Sequence, residues 1–133
     1  MRRVQVRRPS FPTLPVDGFT ESTPQKVWQV LCGDAGHWRA GLYSPDFSRL
    51  EQIMELEQHD CPELFFLLSG RLVLVLEKKS GELQEVELPP GRGILVTSPH
   101  NGYCPLGPHT GLALVVERDE FDTVYKTVRL RQS

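Results

Sequence analysis

Apolar positions along this chain fall in short runs, not in long stripes of helical spacing. Val, Leu, Phe and Tyr cluster over a few residues at a time, and eleven prolines and eleven glycines separate the clusters. Short runs of this composition, bounded by turn-forming residues, specify strands. Strands are predicted at Lys26 to Leu31, Trp38 to Tyr43, Gln52 to Glu57, Leu64 to Leu68, Arg71 to Glu77, Glu82 to Leu88, Gly93 to Thr97 and Gly111 to Glu117, with a further one at Thr123 to Leu130. "KKSGE", from Lys78 to Glu82, supplies a hairpin turn, because glycine accepts the positive φ of a tight turn and lysine resists edge pairing. Many short strands at this spacing predict an all-β sandwich or barrel.

One segment carries two patterns. Ser48 with Glu51 fits a capping box, and Leu50, Ile53 and Met54 lie at helical spacing. If the segment is extended instead, Ile53, Glu55, Glu57 and His59 share one face. A strand from about Gln52, preceded by a single helical turn, accommodates both.

With 133 residues the chain has room for one domain with one core. Residues 1–25, with prolines at 9, 12, 15 and 24, are expected to form an N-terminal arm, and residues 26–133 a single β-barrel domain. The net charge of −2 gives no global attraction to nucleic acid or to an anionic membrane, so the partners are expected to be small molecules. No apolar run is long enough to span a bilayer as a helix. "MRRVQVRRPSFP" lacks the apolar centre of a secretory signal, which makes the cytoplasm the default expectation. Three cysteines without a CxxC pair point to reduced thiols. Arg2, Arg3, Arg7 and Arg8 could grip an acidic partner; a solvated, alternating edge strand, with the C-terminal "VRLRQS" segment beside it, is the simpler expectation.

The chemistry concentrates in "ELEQHDCPELFFLLSG", Glu55 to Gly70. On a strand, Glu57 and His59 point the same way, and "DCP" turns the chain so that Glu63 comes from the next strand. Glu57, His59, Glu63 and Gly70 form the pattern E-x-H-x3-E-x6-G. It resembles the first motif of the cupins, H-x-H, three or four residues, Glu, six residues, Gly, with Glu57 in place of the first histidine. The second cupin motif is G-x5-P-x-G-x2-H. "GILVTSPHNGYC" matches it at Gly93 and Pro99, with Asn101 at the glycine position and Cys104 at that of the last histidine. The resemblance covers roughly Trp38 to Glu117 and implies a cupin, a jelly-roll or double-stranded β-helix barrel with a polar pocket at its open end.

It further implies a ligand set of Glu57, His59, Glu63 and Cys104. That mixture of carboxylate, imidazole and thiolate suits a divalent metal, zinc or manganese first, with iron or nickel as alternatives. The other outcome is a metal-free, hydrogen-bonded barrel mouth. His100, next to Pro99, is expected as an exposed loop histidine, or as a pocket residue in place of Cys104 if the loop is shifted in register. Arg39 and Tyr43 share one strand face and could orient a ligand, with Phe65 lining the barrel interior. Glu55 or a displaced Glu57 is the candidate proton carrier. Cys61 lacks a recognisable base and is expected as a half-buried turn residue. Leu64, Phe66 and Leu68 make the opposite face apolar too, which predicts its burial by the arm or in a homodimer. Two functions fit: a metal-dependent enzyme on a small sugar or hydroxy acid, or a metal-free small-molecule sensor.

Overall fold

The structure is a computed structural model that describes residues 1–7, 17–20 and 25–128. Eleven strands form the fold among these residues. They are β1 (Arg2–Val6), β2 (Trp28–Asp34), β3 (Trp38–Tyr43), β4 (Glu55–His59), β5 (Glu63–Ser69), β6 (Val73–Glu77), β7 (Leu83–Glu87), β8 (Ile94–Val96), β9 (His100–Tyr103), β10 (Leu112–Glu117) and β11 (Phe121–Thr127). One sheet has six strands in the order β1-β11-β4-β9-β6-β7, the other five in the order β2-β3-β10-β5-β8. Every pairing between named strands is antiparallel.

The alternation of side chains places the core. In β10 burial has a period of two, with Ala113, Val115 and Glu117 inside. In β5 the inward row begins at Glu63 and Phe65, while Phe66 and Leu68 are exposed. Phe65, Leu72, Leu74, Leu88, Val96 and Val115 pack together between the sheets, and Ile53, Leu56 and Val75 form a second cluster. Burying a side chain of this size contributes ~1.5–3 kcal/mol. The polar ends of these inward rows meet at one end of the barrel, where apolar packing stops.

Each predicted strand has a counterpart, with boundaries shifted by a few residues. The Ser48 region forms a single 3-10 turn, Leu50–Gln52, followed by β4. Its cap is Gln52 and not Glu51: Gln52 Oε1 accepts from the Ser48 and Arg49 backbone N–H groups at 2.7 and 3.1 Å. The "KKSGE" hairpin closes through Lys78 N–H to the Glu82 carbonyl at 2.8 Å, with Gly81 at φ +87°. Part of the expected arm is sheet: β1 pairs β11 as an exposed edge strand. Arg8, the prolines at 9, 12, 15 and 24, and the tail from Arg129 lie outside the described residues. β9 is the strand that the sequence pattern treats as a loop, since Pro99, Asn101, Gly102 and Pro105 all signal a turn.

Candidate metal centre

The two strands that carry the sequence cluster lie in different sheets. β4 ends at His59 in the six-stranded sheet, and β5 begins at Glu63 in the five-stranded one. Asp60 anchors the turn between them, its Oδ1 accepting from the Asp122 N–H at 3.1 Å and from Arg118 Nη2 at 2.9 Å. The turn thereby brings Glu63 across the barrel to face Glu57 and His59. From the other side of β4, β9 pairs His100 opposite Glu57.

Four side chains converge there. Glu63 Oε1 lies 2.8 Å from His59 Nε2 and 3.1 Å from His100 Nε2. Glu57 Oε1 lies 3.6 and 3.7 Å from the same two nitrogens. Three of the four side chains are almost fully enclosed, and Glu57 keeps a 36% exposed side chain toward the opening.

The outer nitrogens of both rings are held. His100 Nδ1 lies 2.8 Å from the Ser98 carbonyl, which only accepts, so this nitrogen carries a proton. His59 Nδ1 lies 2.7 Å from the hydroxyl of Thr123, its cross-strand neighbour on β11. Burial acts to lower the His59 pKa, but the Glu57 and Glu63 carboxylates outweigh it and hold the imidazole up to about 10. His100 is raised in the same way, burial opposing Glu63 and Glu57. For Glu63, burial acts upward, but His100 and His59 hold the carboxyl well below its usual range.

The arrangement fits a divalent cation. Glu63 Oε1 and His100 Nε2 are buried and make no hydrogen bond of regular geometry, although they approach within 3.1 Å. With Nδ1 of a neutral His100 committed to Ser98, two lone pairs face one point, a costly arrangement unless a proton or a cation sits between them. The ligand atoms of Glu57, His59 and His100 lie within 4.8 Å of one another. Two imidazoles and two carboxylates match the preferences of zinc, manganese and iron(II), and the carboxylates balance the charge of a divalent ion.

Beside this cluster a cavity of about 250 Å³ opens. Arg39 and Glu117, cross-strand partners on β3 and β10, line it, and a Glu117 carboxylate oxygen lies within 4.8 Å of the ligand atoms of His59 and Glu63. Arg39 Nε and Nη2 both lie 2.6 Å from Glu117 Oε2. The guanidinium carbon sits 5.3 Å from the Trp28 ring centroid and 5.0 Å from that of Phe121. Burial and the Glu63 charge push the Glu117 carboxyl up to about 7, against the pull of Arg39. Burial and the nearby Glu57 charge keep the Tyr43 phenol protonated, its pKa well above the usual value.

The structure thus brings Glu57, His59 and Glu63 together with His100. Cys104 lies elsewhere: fully buried, its Sγ accepts from the Gly111 N–H at 3.3 Å and contacts the Gly111 carbonyl at 3.7 Å. Cys104 stands four residues beyond His100, roughly 13 Å along an extended chain. His100, expected in an exposed loop, is 4% exposed and opens β9. Asn101, at the motif's glycine position, ties β9 to β4 by donating from Nδ2 to the Glu55 carbonyl at 2.8 Å.

Glu55 does not line the cavity; its side chain is 45% exposed and pairs with Arg2 at 3.1 Å. Arg39 and Tyr43 do line it, whereas Phe65 lies beneath, its ring centroid 5.8 Å from His100 and 6.1 Å from Tyr43. Burial raises the pKa of both Cys61 and Cys104, which favours inert thiols over nucleophiles. The pocket residue that sequence reasoning passes over is Glu117. Its signal is the parity of "LALVVE", which ends an apolar inward row on a carboxylate.

No family model matches the chain, and no curated protein matches it in sequence. Solved structures do match in shape. One is iron(II) HppE, 17% identical with a TM-score of 0.54 over 68% of this chain and 48% of that one. Hydroxypropylphosphonic acid epoxidase from S. wedmorenis in complex with fosfomycin is 19% identical, with a TM-score of 0.52 over 83% and 63%. A cupin-2 domain containing protein from Shewanella frigidimarina is 13% identical, with a TM-score of 0.51 over 74% and 84%. The chain spans 48% and 63% of the first two proteins' lengths. At these identities the likeness is one of fold.

Proposed function

On the cupin barrel that this chain forms, we propose a divalent metal centre held by Glu57, His59, Glu63 and His100, in an enzyme that acts on a small polar metabolite such as a sugar or hydroxy acid. The observation that carries this is that Glu57 Oε1 and Glu63 Oε1 both face the Nε2 atoms of His59 and His100, with Glu63 Oε1 and His100 Nε2 buried and lacking hydrogen-bond partners. HppE, a protein of the same fold, has solved structures of its iron(II) and cobalt(II) forms, which supports a metal in general and not a particular one. Zinc and manganese are our first candidates.

A bound cation would polarise a carbonyl or hydroxyl oxygen. The protein's own groups divide the remaining work. Glu117, facing the same cavity, takes or returns a proton at the substrate, the role that the exposed Glu55 does not fill. Arg39 fixes the Glu117 carboxylate in place. Tyr43 stays protonated and donates to a substrate oxygen. Trp28 and Phe121 exclude water from one wall.

A second reading, a metal-free binding protein, has support of its own. Protonated His59 and His100 would balance Glu57 and Glu63 without an ion. Metal analysis of protein purified without chelator separates the two: near-stoichiometric divalent metal that is lost in His59→Ala supports the centre, and metal-free protein from metal-replete expression removes it.

We further propose a homodimer that covers the exposed Phe66 and Leu68, to be checked by sedimentation. The three free cysteines suit a reducing cytoplasm. Among the described residues no helix is long and apolar enough to cross a membrane.

A further inference from the structure

Arg39 is the one permanently charged cation among the described residues lining the cavity, and it is already taken. Its Nε and Nη2 both lie 2.6 Å from a single oxygen, Glu117 Oε2. The two side chains are 10% and 2% exposed, so solvent screens the pair little. The strand register places the two side chains next to each other, because Arg39 and Glu117 are direct cross-strand partners. Trp28 and Phe121 flank the guanidinium, its carbon 5.3 and 5.0 Å from their ring centroids, and these contacts favour its observed position.

We propose that Glu117 masks Arg39 against anions, so that of the two substrate classes named above the cavity takes the uncharged one, a hydroxyl-rich ligand of the free sugar or polyol class, and refuses hydroxy acids and other phosphate- or carboxylate-bearing ligands. The choice of class rests on the proposal that this cavity is the substrate site.

Three features support that class. The first is charge. Glu57, Glu63 and Glu117 supply three negative charges to the site, against Arg39 and the two positive charges of a divalent cation or of the histidine pair. The balance is already neutral, and an incoming anion would arrive in a poorly solvated space with no unpaired cation of the protein to meet it. The second is hydrogen bonding. Ionised carboxylates only accept, so a ligand that satisfies the walls must bring donors, and hydroxyl groups are the neutral ones that fit. The third is shape. At about 250 Å³ the cavity is below the ~300–1,000 Å³ of drug-sized sites, and its Trp28 and Phe121 walls suit the C–H faces of a small ring.

The test compares small uncharged sugars and polyols with the phosphate esters of the same sugars, by thermal shift and calorimetry at pH 8, on protein of measured metal content. Inorganic phosphate and acetate are titrated in parallel. We expect stabilisation by at least one uncharged member, none by its phosphate ester, and no saturable binding of either free anion. In Glu117→Gln, phosphate binding should rise by roughly tenfold or more and restore thermal stability lost through the unpaired arginine, and Arg39→Met in the same background should abolish that gain. Tighter binding of a phosphate ester by the wild type, no stabilisation by any uncharged member, or a folded Glu117→Gln without gain would each overturn the proposal. The wild-type comparison decides even where the variant fails to fold. A metal-free preparation removes the metal centre and leaves the anion comparison standing, because the charge balance holds in both forms.

Discussion

His100 stands directly opposite Glu57 across the pairing of β4 with β9, and its Nε2 lies 3.7 Å from Glu57 Oε1. This relationship adds a second histidine to the cluster of Glu57, His59 and Glu63. It also supplies a way to tell the observed geometry from the motif spacing. His100→Ala is expected to lower metal affinity at least ~100-fold, exceeding what loss of an outer supporting bond costs. Cys104→Ala should leave metal stoichiometry unchanged and cost only about 1 kcal/mol of stability through lost packing. Metal analysis of both variants beside the wild type checks this; metal lost with Cys104 and retained without His100 would refute it.

Thr123 offers a subtler test of the same centre. Its hydroxyl lies 2.7 Å from His59 Nδ1, and the residue is 2% exposed, so no water replaces it easily. Thr123→Val keeps the shape and removes the partner that orients the ring. Metal affinity should fall roughly 10–100-fold while the fold persists. Competition against a chelator of known affinity, with circular dichroism as the control for folding, measures the change. An unaltered affinity would mean that His59 is not a ligand.

How legible was this site in the sequence? Short apolar runs bounded by turn residues, such as "LALVVE", and the turn in "DCPE" can be placed from pattern alone, and with that turn the neighbourhood of Glu57, His59 and Glu63. β9 cannot, because Pro99, Asn101 and Gly102, each with its own tertiary reason, mimic a loop. Pro99 sits just outside the strand, Asn101 spends its side chain on the Glu55 carbonyl, and Gly102 passes within 2.8 Å of the Tyr43 hydroxyl when given a Cβ. Once that strand is missed, His100 has no reason to point inward. Glu117 is hidden differently: its strand is legible, but only the register with Arg39 reveals why a carboxylate occupies an inward position.

Gly70, the last residue of the first motif, matters to the fold and not to the cluster. It has φ +68°, and a Cβ there would lie 1.9 Å from the Thr110 carbonyl oxygen. Gly81 in the hairpin has φ +87° with nothing within 4 Å of the same position. Gly81→Ala should therefore cost ~1–2 kcal/mol for the backbone conformation alone. Gly70→Ala should cost that plus ~1–3 kcal/mol for the displaced backbone. Urea unfolding of the two variants measures the difference, and equal losses would show that the Thr110 contact relaxes freely.

The histidine and carboxylate cluster predicts a pH dependence that reverses when metal binds. In the metal-free chain His59 is held at about 10 against an ordinary 6.5, so above pH 6.5 the folded state keeps a proton that the unfolded chain has lost. Stability from this group is complete below pH 6.5 and is lost as pH rises through about 10, with a slope of at most ~1.4 kcal/mol per pH unit. Glu63 acts at the other end: its lowered carboxyl contributes stability that is present above 4.5 and lost as the solution becomes more acidic. Chelator-treated protein should therefore be more resistant to urea at pH 6 than at pH 9, and His59→Gln should flatten that difference. A cation must displace the same proton to reach Nε2, so metal affinity should rise over the interval in which the metal-free protein weakens. Metal-loaded protein that loses stability from pH 6 to 9 as steeply as the metal-free form would show that the ion does not bind at His59.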